Sequence, residues 1–299
     1  MITDEQIDEL IAQAGRTHVI PSREDPVLLE AVRDPRALVR ARALLDAKDK
    51  DWRHRAILCI ERIAYVRRDQ ETADLLLAHA AKTKDKYEAM ATLEALARCT
   101  PPQTLRSKLL LELASRKEWQ VWIPAVACLH LAPPDEVETA LFEHLDAGRE
   151  GLVSVARELR FMTSARSIEA LERLLENKVV DVRCVALDSL GERLGPDVMP
   201  YARRLSTRSF DEQWWAEKWT GRYGDGTDVP FMVKRARALV TGNRQRRYDP
   251  PELSYLFPFL VRHQEMVEAR RALDLLHQQA QRLPENERRW LEAQAQPQG

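Results

Sequence analysis

Residues 181–194 read DVRCVALDSLGERL, and residues 51–64 read DWRHRAILCIERIA. Asp181 matches Asp51, Arg183 matches Arg53, Ala186 matches Ala56 and Leu190 matches Ile60. Both stretches space their apolar residues at helical intervals, so each reads as an amphipathic helix opened by a polar residue after a short turn. Similar starts stand at Asp85 (DKYEAMATLEALARC), Glu118 (EWQVWIPAVACLHL), Arg149 (REGLVSVARELRFM) and Asp211 (DEQWWAEKWTGRY). The six starts are separated by 34, 33, 31, 32 and 30 residues. Before each runs another helical pattern: PRALVRARALLDA, ETADLLLAHAAKT, PQTLRSKLLLELAS, PDEVETALFEHLD, SIEALERLLEN and PDVMPYARRLST. Pro35, Pro102, Pro134 and Pro196 mark first turns, where the missing N–H costs nothing, and Asp34 precedes Pro35 as an N-cap.

Paired helices recurring every 30–34 residues predict an all-α chain, an α-solenoid of about six helix-pair repeats. One hairpin cannot bury its apolar face alone, whereas stacked neighbours share a continuous core. Composition agrees, with 44% apolar and 31% charged residues and only ten Gly among 299. The net charge of −1 gives no global pull toward nucleic acid or an anionic membrane. No run approaches the roughly 20 apolar residues of a membrane span. The opening MITDEQIDELIAQAG has no basic or apolar leader region; it reads as a helix with Thr3 as N-cap, Gln6 as its capping-box partner and Gly15 as its stop. Cys59, Cys99, Cys128 and Cys184 lie far apart in apolar runs, so neither a disulfide nor a zinc site is expected, and the expected surroundings are a reducing cytoplasm.

The pattern D-x-R-x-x-A-x-x-x-L at the head of a second helix resembles the HEAT repeat family, including its short bacterial variants, across about residues 25–242. The resemblance implies a scaffold in which Asp and Arg bond laterally between repeats. Asp51–Arg53 and Asp181–Arg183 match, while Trp122 and Gln213 stand at the Arg position of two other repeats, so that ladder is expected to be incomplete. The expected organisation is an N-terminal capping helix over 1–24, the repeats over 25–226 and a helical C-terminal cap over 227–290. That cap carries a basic loop at 241–252 and a helix interrupted at Pro258, and a disordered tail over 291–299 follows it.

No phosphate loop, HExxH helix or nucleophile motif occurs. None of the seven His is followed by Glu, which argues against the HEAT-repeat iron hydroxylases, whose metal sites use His–Glu pairs. No catalytic residue, cofactor or metal is expected. With the second-helix Asp as position zero, the apolar core centres near +1, +5, +9 and +12, and +3, +7 and +10 face the other way. In HEAT-like stacks that side is concave. It would hold His54, Leu58 and Glu61; Ile123, Ala127 and His130; Ser154, Glu158 and Phe161; Cys184, Asp188 and Gly191; and Trp214, Lys218 and Gly221. The helix at Asp85 is too irregular to place. Of the tryptophans, Trp214 is expected to face the groove, and Trp122, Trp215 and Trp219 to point sideways or inward.

The candidate partner-binding groove is therefore His54, Glu61, His130, Glu158, Asp188, Trp214 and Lys218, mixed to acidic in charge. A second, basic patch is Lys234, Arg235, Arg237, Arg244, Arg246 and Arg247, although 36 Arg against 10 Lys make the whole chain Arg-rich. These features suit a monomeric, non-catalytic protein that holds another protein, sharpened to a bacterial immunity protein occluding a basic toxin. A DNA-binding groove would need many more cations. Two other classes share the architecture: HEAT-like alkylpurine DNA glycosylases, which hold a damaged base with Trp and Asp, and cofactor lyases or chaperones.

Overall fold

The computed structural model describes residues 3–14, 26–99, 101, 103–146, 151–241 and 250–295. Among the described residues all regular structure is helical and no strand occurs. The chain divides into two compact units, Met1–Thr163 and Ser164–Gly299.

The first unit contains α1 (Asp4–Ala14), α2 (Pro26–Arg33), α3 (Pro35–Leu44), α4 (Lys50–Arg67), α5 (Gln70–Lys82), α6 (Lys86–Leu96), α7 (Ser107–Ala114), α8 (Trp119–Val126), α9 (Pro134–Asp146) and α10 (Leu152–Glu158). Local chemistry sets many of the starts. Thr3 and Gln6 form the reciprocal capping box on α1, and Asp34, Asp49, Asp69 and Asp85 accept from first-turn N–H groups of α3, α4, α5 and α6. Each second helix lies against its own first helix, α3 with α4, α5 with α6, α7 with α8 and α9 with α10. The second helices α4, α6, α8 and α10 also touch in succession, as do the first helices α5, α7 and α9. Ala56, Ala125 and Ala156 on α4, α8 and α10 are fully buried, where a small side chain lets two backbones approach, and Leu93 on α6 is fully buried as well.

The second unit contains α11 (Ala165–Leu174), α12 (Val180–Leu194), α13 (Met199–Leu205), α14 (Phe210–Tyr223), α15 (Val229–Thr241), α16 (Leu253–Arg262), α17 (Val267–Gln278) and α18 (Glu285–Ala295). Here α12, α14 and α16 touch in succession, and α15, α16, α17 and α18 enclose a core around Met232, Leu256, Phe259 and Leu276.

The repeated Arg has one job in both units. Arg53 Nη1 donates to the carbonyls of Ala47 (2.8 Å) and Lys48 (3.1 Å), and its Nε donates to Glu88 on the next second helix at 2.8 Å. Arg183 does the same with Asn177 (2.6 Å), Lys178 (3.1 Å) and Glu212 (2.7 Å). The lateral acceptor is therefore a Glu on the following helix rather than the Asp of the motif; Asp51 and Asp181 stay exposed in first turns.

Several boundaries differ from the sequence expectation. Helix α7 begins at Ser107, not at Pro102, which lies outside the described residues as Gly15 does. Pro196 falls in a 3-10 turn before α13. The short helix α2 had no counterpart in the repeat pattern. Pro258 lies inside α16 on an exposed side, and the chain breaks instead at 263–266. Helix α18 runs to Ala295, into the segment expected to be a tail. Among the described residues no helix is long and apolar enough to cross a membrane.

Candidate partner-binding site

Three successive second helices of the first unit form one cleft of about 550 Å³. Helix α6 supplies Met90 and Glu94, with Arg98 just beyond its end; α8 supplies Trp119, Ile123 and Pro124, with Ala127 just beyond its end; α10 supplies Ser154, Arg157 and Glu158. His130 and Arg160 enter from the 3-10 turns that follow α8 and α10. Five of the six positions assigned to the concave side on these two repeats line it: Ile123, Ala127, His130, Ser154 and Glu158. The sixth, Phe161, is exposed and stacks on the His130 ring at 5.0 Å between centroids.

Sequence shapes this cleft through two irregularities. Pro124 inside α8 supplies no N–H to the helical ladder, and α8 ends at Val126, so His130 is carried on a 3-10 turn. Gly151 opens α10 with φ of +91°, and a Cβ there would stand 2.7 Å from Trp122 Cη2. Only Gly fits both requirements. Trp122 beneath it is buried and stacks on His144 at 5.3 Å.

The charges in the cleft are not those the helical wheel gave. Glu158 is 1% exposed. Its Oε2 accepts the His130 backbone N–H at 2.7 Å and faces His130 Nδ1 at 3.1 Å. Glu158 lines the cleft where the wheel put it, but its carboxylate is turned onto His130 rather than offered to the opening. Glu61 is held by Arg98. Arg157 is exposed and makes no ion pair among the described residues. Arg160 sets its guanidinium 4.5 Å from the centre of the Phe161 ring, and its Nε is buried without an acceptor.

Exposed aromatics open three successive second helices. Trp52 starts α4 with Arg55 over its ring, Tyr87 starts α6 with Lys86 over its ring, and Trp119, 52% exposed, starts α8 at the cleft. Sequence reasoning left Trp119, Arg98, Arg157 and Arg160 out of the site. Trp119 stands in the polar run SRKEWQ, a signal that it is not needed for the core. Arg98 follows the helix that was not placed on the wheel, and Arg157 and Arg160 fall beside the wheel positions 154, 158 and 161 rather than on them.

The remaining candidates lie elsewhere. His54 is exposed on α4. Asp188 and Lys218 pair with each other, so neither offers a free charge. Trp214 is 6% exposed, not groove-facing as expected: it meets Trp215 edge-on at 4.8 Å and Tyr255 at 6.3 Å. The cause is α16, whose Tyr255 carbonyl would stand 2.7 Å from a Cβ on Gly221. Glycines at these positions were the available sign of close approach. Gly191 likewise takes the Trp219 indole, where a Cβ would stand 2.1 Å away, and Cys184 is buried. Trp219 points inward, as its wheel position implies.

The expected basic patch is only partly a surface. Lys234 and Arg237 are exposed. Arg235 is 2% exposed, with Nε on Glu217 and Nη2 on Glu252, both at 2.7 Å. It lies on the inner side of α15, one helical step from Met232 and Leu239. Arg244, Arg246 and Arg247 lie outside the described residues.

Among the described residues no cluster of His, Cys, Asp or Glu is arranged to hold a metal ion. No family model matches the sequence, and comparison with curated proteins gives no match.

Proposed function

We propose that the chain is a non-catalytic protein-binding scaffold of the HEAT-like α-solenoid type, which seats a partner protein in the cleft of α6, α8 and α10. The observation that carries this is the cleft itself: a concavity of about 550 Å³ rimmed by an exposed Trp at a helix start. Exposed Trp, Tyr and Arg are the residues that most often carry interface energy. The succession of second helices supports the solenoid reading, since stacked helix pairs create such surfaces. On this reading the protein works as a monomer in the cytoplasm.

A toxin-neutralising role, in which the cleft's rim covers an enzyme's active site, is the sharper form of the reading. Its charge argument shifts, because Glu61, Glu158 and Asp188 are already engaged and offer little to a basic partner. The base-holding arrangement of the glycosylase reading has no support at Trp214, which is buried.

The test is quantitative capture from the source cells with wild-type protein, with Ala127→Trp to fill the cleft and with Trp119→Ala to strip its rim. A partner lost from both variants while their melting stays unchanged supports the reading. Equal recovery on all three proteins rejects the cleft as the site.

A further inference from the structure

Hydrogen-bond donors in the cleft exceed the acceptors left to meet them. Glu158 is buried and accepts from His130, and the Glu61 carboxylate is taken by Arg98. Arg157 is exposed and without an ion pair among the described residues, and Arg160 keeps a buried Nε with no acceptor. Against these two guanidinium groups the lining offers Glu94, exposed on α6, as a carboxylate unengaged among the described residues. An occupant must therefore bring acceptors, and guanidinium is the cation best matched to a carboxylate because two parallel N–H groups meet its two oxygens. Arg160 is held in advance by its ring contact with Phe161, so less side-chain freedom is lost on binding.

Beside the cations lies an apolar floor of Ile123, Pro124 and Ala127 under the Trp119 rim. A run of phosphates does not suit this lining, which sets three Arg against two Glu and contains no Lys. Nucleic acid draws its affinity from many neutralised phosphates.

We propose that the cleft takes an acidic segment of a partner protein. One or two Asp or Glu carboxylates meet Arg157 and Arg160, and a neighbouring apolar side chain lies on Ile123 and Trp119. This rests on the reading of the cleft as the partner site and fixes the chemistry of what enters it.

Random linear peptides displayed on phage, selected on the full chain, test it, with a single-stranded DNA oligonucleotide as a second probe. The selected peptides are expected to be enriched in Asp or Glu beside an apolar residue. Their affinity falls about tenfold or more for Arg157→Glu and for Trp119→Ala, each with unchanged melting. Exchanging the peptide's acid for Lys restores binding to Arg157→Glu but not to wild type. Peptides that depend on Trp119 but carry no acidic preference, or a basic one, overturn this inference and leave the cleft as the partner site. Peptides indifferent to both substitutions, an empty selection, or preferential binding of the oligonucleotide overturn both.

Discussion

Arg53 and Arg183 bind the same kinds of acceptor, but their carboxylates are not equally covered. Glu212 is 1% exposed, whereas Glu88 is 11% exposed and also meets His79 at 2.8 Å. Burial works against ionisation of Glu212, yet the bonds from Arg183 and Ser209 outweigh it and hold its carboxyl below the usual range. Removing Arg183 strands a more deeply buried charge. Arg183→Ala is expected to cost about 2–3 kcal/mol and Arg53→Ala about 1 kcal/mol, read from denaturant midpoints. The reverse order would contradict this account of the motif. A second residue-scale effect concerns Glu217, which shares Arg235 with Glu252, while Glu287 accepts the N–H groups of Glu252 and Leu253 close by. Burial, then the Glu252 carboxylate, push the Glu217 carboxyl well above its usual range. Folded protein therefore holds a proton here that unfolded protein releases. The contribution is complete below the usual carboxylate range and is lost as pH rises from there toward the folded value. Glu217→Gln keeps an acceptor for Arg235 without the proton. Over the window just above the usual carboxylate range its stability relative to wild type is expected to grow with pH, by up to about 1.4 kcal/mol per pH unit. A constant difference across that window would show that Glu217 is ionised in the fold.

At the scale of elements, two short helices decide the cleft. Helices α8 and α10 stop early, and the turns after them carry His130 and Arg160 into the opening. Gly151 links the two, since its left-handed backbone starts α10 directly over Trp122. Gly151→Ala is expected to cost about 1–3 kcal/mol from backbone strain and displaced indole together, measured by thermal or denaturant melting. A cost under about 0.5 kcal/mol would mean that the turn relaxes freely. These elements also show what the sequence could express. The 30–34-residue period and the D-x-R pairs located the twelve paired helices, because periodicity and capping are local. The wheel positions Ile123, Ala127, His130, Ser154 and Glu158 share the lining of one cleft, although Ala127 and His130 lie past the end of α8. Trp214 and Gly221 are instead buried, where α16 from later in the chain covers the face. No local pattern announces a helix that arrives from elsewhere.

At the scale of the whole molecule, the chain offers two surfaces that sequence alone could not rank: the cleft of α6, α8 and α10 and the cationic stretch from Lys234. Side-chain geometry ranks them. The first has a shaped cleft, an exposed Trp and unmatched guanidinium donors. The second has lost Arg235 to an internal ion-pair cluster and shows Lys234 and Arg237 singly on the outer side of α15. Amide hydrogen exchange of the full chain, with and without the partner recovered by cleft-dependent capture, distinguishes them directly. The account predicts new protection over residues 90–98, 119–130 and 152–161, with the first helices α5, α7 and α9 unchanged. Protection confined to residues 229–262, with those three segments exchanging as in the free protein, would contradict it.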